Sequence, residues 1–456
     1  MLGVHGVGRD KADYYLSDLA RELPVSGPGR WAGTAAAGLG LAGTVDPHGF
    51  RRLLEGRHPV TGAGLGSGRT TVAAFDLTFS APKSASVLFA LGGADVARAV
   101  VAAHAEAVEG SLSYLEQHGI TAIRGSGPAR AVLPTSGAVT AVFTHGVNRN
   151  ADPHVHSHVV LANLVHGADG RWGALDRRGI DAHRMAASAV YDAHLRSGLA
   201  SALGVRWTGA PGRTAEVVGV PPELLGEFST RAADIRRHMH EAGAHSGRGA
   251  RVAWAATRPA KAPSVPFADL AARWQLRAEA VGLPLELESG RAVAVAPRAV
   301  LDEHRFAGVL SLTPHGGARR RDVVAAFSAA ARDGVSAPAV ERLVDQWVVP
   351  GPVGVAEPLQ PCRTVGPANH HLRLLGPRPV DPDDHEVWRG AARAIDAYRD
   401  RWGLGHATEP LGPAASLASL PATRLADHVR TERQVATARA RLGWREPLTA
   451  ERGLGR

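Results

Sequence analysis

Cysteine is almost missing from this chain: Cys362 is the single one among 456 residues. An internal disulfide is therefore impossible, and so is a metal cage built of thiolates. Any metal centre must be assembled from histidine and carboxylate groups. Lysine is scarce too, occurring only at Lys11, Lys83 and Lys261, so the formal net charge of +9 rests on arginine. No apolar run is long enough to span a bilayer, and the N-terminal segment lacks the basic, apolar and small-residue order of a secretory leader. The expectation is a cytoplasmic protein without membrane insertion. No glycine–lysine pair occurs either, and with it goes the GxxxxGKS/T loop that an ATP-driven motor requires. The nearest approximation, TGAGLGSGRTT at 61–71, has no lysine and reads as a loop, so no ATP is expected.

What is present suits a soluble globular protein. Hydrophobic residues make up 45% and charged residues 21%, in a chain long enough for two or three domains. The basic excess favours a polyanionic partner, because phosphate contacts release counterions. Arginine usage set by a GC-biased genome would produce the same charge, so charge alone leaves nucleic acid open.

Residues 10–22 have helical spacing, with Tyr14, Leu16 and Leu19 among the apolar positions. A glycine-rich stretch (27–43) precedes a strand at 75–80 (FDLTFS) and a helical pattern from 84 to 110. Strand patterns follow at 119–125, 137–145, 155–165 and, shorter, 171–175; helical ones cover 180–204, 221–243 and 266–281. Closely spaced strands imply an antiparallel sheet, and the whole reads as an α+β domain over 1–290. Two short helical patterns around Gly334 and Pro338 suggest a small module at 291–350. A Pro/Gly-rich linker follows at 351–382, then a mainly helical region at 383–456 whose first helix opens at Asp383 and Asp384.

The segment FTHGVNRNADPHVHSHVVLANLV (143–165) carries the chemistry. His156 and His158 are two apart in a strand pattern, so their side chains leave one face. The intervening VNRNADP is full of turn formers, and a hairpin there would bring His145 beside them. Three converging imidazoles make a metal site with open coordination positions. His154 is in phase with the pair as well, although Pro153 argues against a regular strand there. A surface patch is the competing explanation in a chain with 22 histidines.

With these motifs the sequence resembles the MobF-class conjugative relaxases, the TrwC/TraI family. The resemblance runs through the tyrosine pair Tyr14-Tyr15, GRWAGTAAAGLGLAGTV (29–45), RRLLEGRHP (51–59), FDLTFSAPKSAS (75–86), the histidine segment, GRWGALD (170–176) and VYDAHLRSGLASALG (190–204). It covers roughly residues 1–285, and many motifs in one order are far more specific than any one. It implies the histidine-triad (HUH) relaxase fold, a central antiparallel sheet flanked by helices. It also implies nicking and rejoining of single-stranded DNA at a transfer origin, through a covalent 5′-phosphotyrosine.

The resemblance makes His145, His156 and His158 the ligands of one divalent ion, Mg or Mn in the family, with Zn, Ni or Co also compatible with imidazole. Tyr14 and Tyr15 match the N-terminal tyrosines, and Tyr14, the first of the pair, is favoured as nucleophile. Asp76 matches an acid that contacts a ligand histidine or the tyrosine proton. Lys83 and Arg149 lie in matching motifs and, with Arg30, are expected on DNA; Trp31 and Trp172 are candidates for base stacking. A coupling protein, a secretion channel and a separate helicase are the implied partners.

The chain departs from the family in two respects: it has no helicase motif and only one tyrosine pair. The alternatives are a rolling-circle initiator or transposase with the same triad, a non-catalytic DNA-binding relic, and a metal hydrolase that uses activated water. In the first of these the tyrosine usually follows the histidines, whereas here it precedes them.

Overall fold

Alternating apolar residues build three long strands that lie side by side at the centre of the protein. In the computed structural model, the described residues are 2–18, 29–66, 71–125, 130–208, 214–243, 265–282, 319–347, 382–401 and 422–442, with a few isolated positions between. The sheet comprises β1 (Leu2–Val7), β2 (Arg30–Ala32), β3 (Ala74–Ser80), β6 (Thr140–Val147) and β7 (Pro153–Ala162), in the order β1-β3-β7-β6-β2. Every pairing is antiparallel. Short pairs, β4 (Ala122–Arg124) with β5 (Ala131–Leu133) and β8 (Val165–His166) with β9 (Trp172–Gly173), lie outside it. The expected α+β architecture with a central antiparallel sheet is what the chain adopts.

Each face of the sheet has its own cover. Along one face, Leu77, Phe79, Val155, Val159 and Leu161 are fully buried. That side meets α3 (Lys83–Leu91) and α4 (Gly93–His118), with α5 (Arg177–Leu203) packed along α4. The expected helix from 84 to 110 is broken at Gly92–Gly93, where Gly93 has φ +82°, a left-handed conformation that glycine adopts without strain. On the other face Ala74, Ala141, Phe143 and Val160 join a core with Tyr15 of α1 (Ala12–Asp18), Phe50 and Leu53 of α2 (Pro47–Leu54), and Trp31. Trp31 is thus core, 7% exposed, because its edge strand turns the indole inward against Phe50; it is no platform for a base.

The turn between β6 and β7 is clamped by helices from much later in the chain: α6 (Pro222–Glu227), α7 (Thr230–Glu241) and α8 (Phe267–Val281). Asp152 is fully buried and accepts from Thr230 N and Oγ1 at 3.1 and 2.6 Å, and from both terminal nitrogens of Arg277 at 3.2 Å. Arg277 also donates to Glu227 Oε1 at 2.8 Å and lies over the Phe228 ring. Trp274 Nε1 donates to the carbonyl of Ala151, whose φ of +60° is unusual for a residue with a Cβ. Truncating Arg277 to alanine would leave a buried carboxylate without its cation. Arg277→Ala is therefore expected to lower unfolding stability by about 3 kcal/mol in a denaturant titration.

The chain divides into two compact units, 1–300 with 331–340 and 301–330 with 341–456. Residues 331–340 belong to the first because Gly334 (φ +88°) lies against α5, where a Cβ would meet Ala193 O at 2.2 Å, and Val335 N donates to that same oxygen. Of the stretch expected as a module at 291–350, residues 291–318 and 348–350 lie outside the described residues. The second unit contains α9 (Arg320–Ala330), most of α10 (Ala337–Trp347), α11 (Pro382–Arg401) and α12 (Ala422–Leu442). Ala391, Ile395 and Tyr398 of α11 share a small core with Val435 and Ala438 of α12. The expected linker at 351–382 falls almost wholly outside the described residues. Among those described, no helix is long and apolar enough to cross a membrane.

Candidate active site

Strand register alone brings the three histidines together. His145 stands opposite His156 across β6 and β7, and His158 stands opposite Phe143 two pairs further along. Their ring centroids are 5.2, 5.5 and 5.3 Å apart, and one nitrogen from each lies within 4.8 Å of the others. Such spacing lets one cation be held by all three.

Hydrogen bonds behind two of the rings aim them. His156 Nδ1 lies 2.8 Å from the carbonyl of His154, which can only accept, so Nδ1 carries the proton. His158 Nδ1 lies 2.8 Å from Asp76 Oδ2, on the neighbouring strand β3. Both rings therefore keep Nε2 as a free lone pair, the arrangement that a carboxylate or carbonyl behind a ligand histidine enforces. Burial, reinforced by the neighbouring histidines, holds the His156 pKa well below its ordinary value, and neutral imidazole is the form that binds metal. Thr78, two residues beyond Asp76 on the same face, donates to Asp76 Oδ1 at 3.2 Å and steadies the carboxylate. Sequence reasoning passed over Thr78, although the two-residue period of a strand marks its place.

β7 begins at Pro153, so His154 does lie on the strand, contrary to expectation. Its ring stacks on His156 at 4.7 Å, outside the group of three. Burial, then the charge of Lys83, pushes its pKa down to about 3.

The two tyrosines differ sharply. Tyr15 is buried, stacked on Phe143 with centroids 5.8 Å apart, and its hydroxyl donates to Asp76 Oδ2 at 3.0 Å. The same carboxylate oxygen thus joins Tyr15 to His158, whose rings are 5.9 Å apart. Burial first, and the carboxylate second, push the Tyr15 pKa far above that of an ordinary phenol. Tyr14 is 37% exposed and sits edge-on to Tyr15, centroids 5.1 Å apart.

The residues expected on DNA are placed less uniformly. Arg30 is partly exposed and pairs with Glu109 at 2.7 Å. Arg149 is half-buried in the β6–β7 turn. The Lys83 ammonium faces inward and donates to the Pro153 carbonyl at 2.9 Å, and burial lowers its pKa. It ties α3 to the histidine hairpin, because the short loop after β3 brings it beneath the turn. Trp172 is half-buried against His166.

The TrwC relaxase family model matches residues 5–281. The multifunctional conjugation protein TraI of Escherichia coli is 37% identical over 248 residues, which is 51% of this chain. Its counterpart from strain K12 is 36% identical over the same length, and this chain spans only 13% of either relative. The metal-bound structure of conjugative relaxase TrwC in complex with oriT DNA superimposes with a TM-score of 0.58 at 27% identity. That match covers 63% of this chain and all of the TrwC chain. TrwC complexed with a 27-mer DNA comprising the recognition hairpin and the cleavage site gives a TM-score of 0.56 at 28% identity, with the same coverage. Because the family model spans more than half of the sequence and its residues include the whole histidine–aspartate–tyrosine cluster, the chain belongs to the TrwC relaxase family.

Proposed function

We propose that this protein is a conjugative relaxase, nicking and rejoining one strand at a transfer origin through a 5′-phosphotyrosine. The observation that carries this reading is the convergence of His145, His156 and His158 beside Asp76 and an N-terminal tyrosine pair. A divalent ion held by the three imidazoles would neutralise charge on a non-bridging phosphate oxygen. The donor set fits such an ion: three nitrogens converge, and two of the rings are held in the neutral tautomer that exposes Nε2. Of Mg and Mn, the two ions that the family resemblance implies, Mn is the better match to imidazole, and Zn, Ni and Co suit this donor set at least as well.

Tyr14 is the proposed nucleophile. Tyr14 is 37% exposed and so within reach of a DNA strand, whereas Tyr15 is buried with its proton committed to Asp76. In the reaction the Tyr14 oxygen bonds to phosphorus and the bond from phosphorus to the 3′ oxygen breaks. The phenolic proton ends on the released 3′-hydroxyl, and the reverse sequence reseals the strand. Asp76 orients His158, and Tyr15 orients Asp76. Substrate recognition would use Arg30 and Arg149. The DNA partner is inferred from the oriT complexes of TrwC, and a helicase for strand separation is a further proposed partner. A coupling protein and a secretion channel complete the proposed partners.

The test is incubation with single-stranded oligonucleotides from the neighbouring transfer origin, with Mn²⁺ or with EDTA. A metal-dependent shift of the denatured protein band is expected. Cleavage without a shifted band would point to a hydrolase using water, and binding without cleavage to a DNA-binding relic.

A further inference from the structure

The reverse face of the sheet carries a second polar cluster, which the reaction above does not use. His104 of α4 has no solvent exposure, and both ring nitrogens are engaged. Nδ1 lies 2.8 Å from the Tyr191 hydroxyl on α5, and Nε2 lies 2.8 Å from Ser157 Oγ on β7. Ser157 Oγ in turn lies 2.8 Å from Thr144 Oγ1 on β6. Ser157 stands between His156 and His158, and Thr144 directly precedes His145. Side chains alternate across a strand, so the ligands point one way and these neighbours point the other.

The direction of this chain of bonds follows from satisfaction of donors. The Tyr191 hydroxyl has no other hydrogen-bond partner among the described residues. If it only accepted, its own proton would be buried without a partner, a costly state. Tyr191 therefore donates to Nδ1, Nε2–H donates to Ser157, and Ser157 donates to Thr144. Burial pushes the His104 pKa down to about 3, so the ring stays neutral, as this single tautomer requires.

The location matters because the β6–β7 ladder loses its regular register between His145 and Val147. Thr144–Ser157 is the regular pair next to His145–His156, where the irregularity begins. We propose that His104, Ser157 and Tyr191 are positioning residues that pin β6 to β7 behind the histidines and so set the spacing of the three imidazoles. This rests on the reading that the triad holds a divalent ion, and on the general rule that groups supporting ligands tune metal affinity.

The experiment is calorimetric titration of the full chain with Mn²⁺, alongside metal-free binding of a single-stranded transfer-origin oligonucleotide. Tyr191→Phe removes one hydroxyl and keeps the ring; Ser157→Ala cuts the link to β7. Each is expected to weaken Mn²⁺ binding about tenfold, with oligonucleotide affinity within about twofold of wild type. The double variant should lose less than the product of the two single losses, since both cut one network. Unchanged Mn²⁺ affinity in the folded variants would overturn the proposal, as would equal losses of metal and oligonucleotide binding, which mark general loosening. Should Ser157→Ala fail to fold, the milder Tyr191→Phe decides alone. Failure of the metal reading itself looks different: wild type and His145→Ala would then both fail to bind Mn²⁺.

Discussion

Replacing Tyr14 with phenylalanine is expected to abolish the covalent DNA adduct, with strand cleavage falling about 10⁴-fold or more. The neighbouring phenol of Tyr15 has its proton committed to Asp76, and removing a nucleophile leaves only the rate that binding and electrostatics provide. Tyr15→Phe should behave differently. It deletes one hydrogen bond, the 3.0 Å contact to Asp76, while the ring keeps its stacking on Phe143. A hydrogen bond to a charged acceptor contributes enough to predict roughly a tenfold slower reaction, with the adduct still formed. Denaturing gels of both variants under identical Mn²⁺ concentrations separate the roles. An adduct that survives Tyr14→Phe and vanishes in Tyr15→Phe would exchange the two assignments.

The second large effect concerns the triad. His156→Ala removes one of three converging nitrogens, and Mn²⁺-dependent cleavage should fall about 10³-fold or more, as should cleavage by wild type in EDTA. Binding of single-stranded DNA without metal should change only a few-fold, because it relies on arginines and not on the imidazoles. Asp76→Asn is the instructive contrast. It spares the ligands but weakens the acceptor that holds both His158 Nδ1 and the Tyr15 hydroxyl on one oxygen. Loss of such support costs about 10- to 100-fold in metal affinity, so raising Mn²⁺ should rescue Asp76→Asn far better than His156→Ala. Equal rescue of both would mean that Asp76 acts in some other way.

Much of the fold was legible because its longest strands carry a strong period. FDLTFS and the histidine segment alternate cleanly, and both appear within a few residues of the expected bounds. The two edge strands were not seen. LGVHGV has two glycines, which weaken a strand signal, and RWA is too short to show any period. Both are held by pairing with β3 and β6, a tertiary effect. Trp31, a candidate for base stacking, fills the core, and Lys83, expected on DNA because it lies in a family motif, has its ammonium on the Pro153 carbonyl.

The histidine spacing, the lone cysteine and the ordered motifs determined from the sequence that any metal here is held by histidine or carboxylate and not by a thiolate cage, and that the chain has the relaxase pattern. They did so because a two-residue period and a ligand inventory are local properties. Which tyrosine is buried and which is open, that one carboxylate oxygen serves both Tyr15 and His158, and that His104 supports the hairpin from behind were decided only by tertiary packing. Those relations join residues dozens of positions apart on separate strands and helices, and no local pattern encodes them.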